Sequence, residues 1–156
     1  MGKRVTIKNG MNEGVWVRMW DDSIYSTAFW LIICKESIQE FEGIYSQVTN
    51  LILEDKTGYH GLCQEVQAPN GRQHVFIVLT EHSSTATKVH EVIHAVNFVY
   101  KHHGVKLDTE NDEHQDYYTD SIIRIVEEAY QELDKYKQKT ELSYERKRKT
   151  EPRKRK

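Results

Sequence analysis

The stretch KVHEVIHAVNF, Lys88 to Phe98, carries the residues whose types and spacing point most directly to chemistry: His90, Glu91 and His94. Side chains four apart on a helix stand one turn above the other on the same side. Two imidazoles so placed can grip one Zn2+ from a rigid element. The glutamate beside the first can act as general base on a zinc-bound water. Helical phase agrees. At 100° per residue the two histidines lie about 120° from the centre of the stripe Val89, Val92, Ile93, Val96 and Tyr100, at its flank. The plain alternative is a solvated histidine-rich face. The context argues against it, because the motif sits mid-helix, after an expected edge strand (Val75–Leu79) and before a second helix with an acidic opening.

A catalytic zinc takes a third protein ligand and keeps one position open. DTENDEHQDYY offers Asp108, Glu110, Asp112, Glu113, His114 and Asp116. Phase brings Glu110 and His114 nearer the helix flank than Glu113, and an imidazole has the higher intrinsic affinity for zinc. Asp116 or Asp120 would suit the free nitrogen of a ligand histidine, although a solvated acid is the simpler role. Tyr117 or Tyr118 would suit a developing oxyanion, with core packing the simpler role for Tyr118. Val75–Leu79 would align an extended peptide by backbone pairing, unless it is an ordinary sheet member. Cys34, Cys63, His74 and His82 read as structural or surface residues, and His60 lacks a neighbouring pair in sequence.

These residues need elements to position them. RVTIK and VWVRMW alternate as strands do around NGMNEG. STAFWLIIC is a short apolar run of buried-strand character. A helix is expected over about Ser37–Leu51, with Ile38, Phe41, Ile44, Tyr45 and Val48 on one stripe. YHGLCQEV and RQHVFIVL flank QAPNG, whose Pro and Asn-Gly predict a hairpin turn. The motif helix should start at Ser83 or Ser84 and stop at Gly104. Thr109 and Asp112 have capping-box spacing before a second, long helix with the stripe Tyr118, Ile122, Ile125, Val126, Ala129 and Leu133.

With 156 residues, 38% hydrophobic and 29% charged, the chain fits one globular domain with solvated helix faces. Its longest apolar run, AFWLIIC, is too short to span a bilayer, and the first ten residues show no apolar leader. Two cysteines suit a reducing compartment, here the cytoplasm. The net charge of −2 hides an asymmetry: residues 137–156 hold 10 Lys or Arg and 3 Glu, a net +7, leaving −9 elsewhere. The apolar pattern fails beyond Lys137, and Pro152 opposes further helix. The division expected is one domain over 1–137 and a basic, disordered tail or frayed helix end over 138–156, which could hold nucleic acid or another polyanion, or serve only solubility.

The succession of strand, HExxH helix, short loop and a glutamate opening the next helix resembles the gluzincin branch of the zincin metallopeptidases. It is also similar to small HExxH proteins of bacteriophages and mobile elements, which would place it in a host cytoplasm. The resemblance covers about residues 74–130. It rests on the five-residue motif and on NDEHQDY, where Asp112 separates Asn111 from Glu113. It implies His90, His94 and Glu113 as metal ligands and Glu91 as catalytic base.

The fold class expected is α/β (α+β): a small mixed sheet, an HExxH helix, then a long C-terminal helix, minimal zincin-like. The function expected is a zinc-dependent hydrolase cleaving a peptide or protein substrate. The alternative is a non-catalytic zinc-containing module that binds a host protein, or nucleic acid through its tail. A helical protein without metal is the third reading.

Overall fold

The computed structural model describes residues 6–110 and 112–150, with the side chains of Lys149 and Thr150 not described. Five strands form one sheet in the order β1-β2-β3-β5-β4: β1 Gly10–Asn12, β2 Val15–Asp21, β3 Ala28–Cys34, β4 Gly61–Gln67 and β5 Gln73–Thr80. β3 and β5 run parallel, from Ala28↔His74 to Cys34↔Thr80, and the other neighbours are antiparallel. The fold is therefore a small mixed α+β sheet.

Strand periodicity divides the core into two layers. Phe29, Leu31, Ile33, Val75, Ile77 and Leu79 pack against α2 (Thr85–His103) and α3 (Glu113–Thr150). Val17, Ile32, Cys34, Phe76 and Val78 face the other way, onto a 3-10 turn Ile38–Phe41 and α1 (Glu42–Thr49). This explains why VFIVL is apolar without alternation: both faces are covered, and Val75 to Leu79 are all fully buried. β5 is thus an interior strand, hydrogen-bonded to β3 and β4, and the edge beside α2 is β4. The expectation that Val75–Leu79 forms the edge is corrected accordingly.

The expected first helix divides in two. Ser37 and Glu40 make a reciprocal capping box on the 3-10 turn, and Asn50 in the left-handed conformation (φ 58°) ends α1. Ile38, Phe41, Ile44 and Tyr45 are buried, as the stripe predicts. At the N-terminus β1 begins at Gly10, so the strand expected at RVTIK is absent over Thr6–Lys8, and Arg4 and Val5 lie outside the described residues.

α2 and α3 are antiparallel neighbours. The Lys88 ammonium sits 3.6 Å from the centre of the Tyr130 ring, and Tyr130 donates to the Thr80 carbonyl at 2.6 Å. Lys137 pairs with Glu81. At the other end, Tyr100 lies 2.8 Å from His114 Nδ1, and Tyr118 donates to Asp22 at 3.1 Å. Asp112 precedes α3 and accepts from the Asp116 amide through its carbonyl, so Thr109 is not part of the cap.

α3 is unbroken through 138–150, where the sequence suggests a disordered or frayed tail. From Gln138 to Arg148 every residue but Thr140 is exposed, so that part is helix without a core face, and 151–156 lie outside the described residues. No helix among the described residues is long and apolar enough to cross a membrane.

Candidate metal centre

α2 places the motif. Ser84 accepts from the Thr87 amide at 3.1 Å and caps the helix, and Gly104 ends it with φ 67°. The cap contributes about 1 kcal/mol and fixes where the helix begins. The buried face runs through Glu91, Val92, Ala95, Val96, Val99 and Tyr100, rotated from the stripe read in sequence, and Ile93 is exposed. The rotation arises because α2 packs on the sheet as well as on α3, and small Ala95 permits a close approach to the strands.

His90 and His94 emerge at the flank, both exposed. Their Nε2 atoms lie 3.0 Å apart with the rings nearly perpendicular, at 85°. Both ring nitrogens therefore address one neighbourhood above α2. Glu91 turns inward, only 7% exposed, beneath the start of β4. Burial lifts its carboxyl above the ordinary carboxylate range, while His90 and His94 pull it down.

Gly61 makes this arrangement possible. A Cβ at that position would lie 2.8 Å from Thr87 Cγ2 and 2.9 Å from both Cγ and Oε1 of Glu91. The glycine marks a close approach of strand to helix. Gly61→Ala should destabilise the protein by about 1–3 kcal/mol through overpacking against Thr87 and Glu91. Urea unfolding would measure this, and an unchanged midpoint would mean that the helix is free to retreat.

An open depression of about 350 Å3 lies over Glu91, lined by His60, Gly61, Ala86, Thr87, His90 and Glu91. A larger cavity, about 530 Å3, is elsewhere, between Asp21, Tyr25, Arg72 and His102–His103. It contains none of the motif residues. Cys63, which pairs with Ile77 along β4, is a free thiol; burial pushes it well up, with Glu91 and Glu65 adding to the shift. It is thus neither thiolate nor nucleophile at neutral pH.

The fold brings His90, Glu91 and His94 together but does not bring Glu113 to them. Glu113 opens α3 beside the Tyr100 end of α2. By the level of Val89 and Val92 the facing residues of α3 are Ile123, Val126 and Glu127, and they meet the flank of α2 away from β4. Glu110 stays in the preceding turn, its amide bonded to Asp108, and His114 is held by Tyr100. Asp120 pairs with Arg124, Tyr117 is 73% exposed and Tyr118 is buried core. Among the described residues no three His, Cys, Asp or Glu side chains already surround one metal position.

His60 is the residue that sequence reading passes over. Its partner in the depression, His90, is thirty positions away. The signal that could have found it is the glycine after it, which lets the β4 terminus lie close against the motif helix. No family model, curated protein or solved structure matches the chain.

Proposed function

We propose that the α2–β4 face is the site of a zinc-dependent hydrolase acting on peptide bonds. The convergence of His90 and His94 Nε2, 3.0 Å apart beside a buried glutamate, carries this reading. Two imidazoles suit zinc, and the Gly61 approach keeps a carboxylate next to them. When held there, zinc would supply Lewis acidity to polarise a carbonyl and acidify water.

The chain's own residues do the rest. Glu91 accepts a proton from the attacking water and returns it to the leaving amine. Burial raises its proton affinity toward what that exchange needs. β4 presents the outer edge of the sheet next to this face, and its unpaired backbone groups can align an extended substrate. Free Cys34 and Cys63 suit action in a reducing cytoplasm.

The test is protein purified without added metal and assayed on casein, an unfolded protein. One zinc per chain, with cleavage stopped by a chelator and restored by zinc, is the expected result. Protein lacking zinc affinity would overturn the reading. Zinc retained without cleavage of casein or of a diverse peptide library would favour a binding module instead.

A further inference from the structure

With only two imidazoles and no reach to Glu113, the proposed site is one donor short. What completes it depends on the zinc reading being right, and three observations converge on the start of β4.

The first is placement. His60 lines the same depression as His90 and Glu91, on the strand side of it. The second is how firmly its backbone is held. The Ser83 hydroxyl donates to the His60 carbonyl at 3.1 Å, and Ser83 Oγ in turn accepts from the Thr80 amide at 2.9 Å. Ser84, the next residue, caps α2. Gly61 then seats the strand against Thr87 and Glu91. The backbone at position 60 is thus tied to the first turns of the helix that carries the pair.

The third is freedom of the ring. His60 is exposed, and among the described residues its ring has no hydrogen bond or ion pair to give up. Turning an exposed side chain to another staggered rotamer costs little beside a metal bond. By contrast, His114 would have to leave Tyr100, and Glu113 opens α3 beside the Tyr100 end of α2.

We propose that His60 is the third metal donor. The site is then a three-imidazole set, His60 from the sheet edge with His90 and His94 from α2, for a zinc-class divalent cation with one position open. Three neutral imidazoles leave the cation its full charge, and Glu91 stays out of the coordination sphere as a base. The donors come from two elements, so binding would clamp the start of β4 onto α2.

Zinc affinity of the full chain, measured by competition with a chromophoric chelator, tests this. His60→Ala should weaken zinc binding at least about tenfold, and His90→Ala more than that, whereas Glu113→Gln should stay within about twofold of the parent. Substitution with Co2+ adds a second readout, since loss of a nitrogen donor shifts the visible absorption bands. Metal-free His60→Ala should melt with the parent, because the side chain is exposed and belongs to neither core layer. If His60→Ala binds zinc like the parent while His90→Ala does not, the inference falls and the zinc reading stands. If Glu113→Gln is the weakened variant, the inference also falls, and α3 must shift. If His90→Ala keeps the parental affinity, or the parent binds no zinc, both fall together.

Discussion

Glu91→Gln is expected to lower peptide hydrolysis by about a hundred- to ten-thousand-fold, the range ascribed to a positioned acid–base group, while zinc stays bound. The substitution keeps the shape that packs beneath Gly61 and removes only the basic oxygen. Stability should respond in the opposite sense. Burial raises the carboxyl of Glu91 above its ordinary value of 4.5. The metal-free folded state thus binds that proton more tightly than the unfolded chain does. Its contribution is complete below about pH 4.5 and is lost as pH rises through the folded value. At neutral pH the buried charge is a cost, and the neutral amide relieves it. Metal-free Glu91→Gln should therefore melt at or above the parent temperature. Parental turnover in this variant, with zinc in place, would remove Glu91 from the mechanism.

The largest expected loss of stability comes from the opposite face of the sheet. Phe76 is fully buried in β5, where its ring meets Trp30, Phe41 and Tyr45 at 5.7, 6.2 and 5.7 Å between centroids. Phe76→Ala removes the ring around which α1 and its 3-10 turn are packed. The cost should be about 3–5 kcal/mol, transfer and cavity together, which is a large part of a total stability of about 5–15 kcal/mol. In urea the midpoint should fall with an unchanged slope, the sign of lost stability without a changed unfolding surface. Neither histidine packs on that layer, so zinc stoichiometry at low temperature should persist. A midpoint near the parent's would mean that the layer collapses to fill the gap.

Much of this fold is legible in the chain. Ser37, Ser84, Asn50 and Gly104 are chemically specific stop and start signals, acting within a few residues, and each serves as a cap. The flank position of His90 and His94 follows from helical phase, which is equally local. The features that are not legible depend on neighbours far along the chain. The sequence reading puts VFIVL at an edge, yet its lack of alternation points to an interior strand, and mixed GLCQEVQ belongs at the edge. Glu113 stands at a reasonable sequence distance from His94, but α2 runs nine residues past that histidine, about 13 Å of helix. The long arm carries the loop away, and α3 returns along the flank held by Val89, Val92 and Val96. No spacing rule conveys on which flank a second helix will settle. The extension of α3 past Lys137 escapes sequence reading for a related reason: a search for an apolar stripe finds helices with a buried face, and from Gln138 to Arg148 no residue is buried.

That extension has a consequence for how the molecule turns in solution. At 1.5 Å per residue the 38 residues of α3 measure about 57 Å, against a diameter of about 37 Å for a sphere with the radius of gyration, about 14 Å, of a compact domain the size of residues 1–137. A body with such a spar rotates readily about the spar and slowly end over end. The amide bonds of α3 lie nearly along that axis, so their 15N relaxation reports the slow rotation alone, whereas amides across the sheet sense both. Removing residues 138–150 should draw the two sets of relaxation times together.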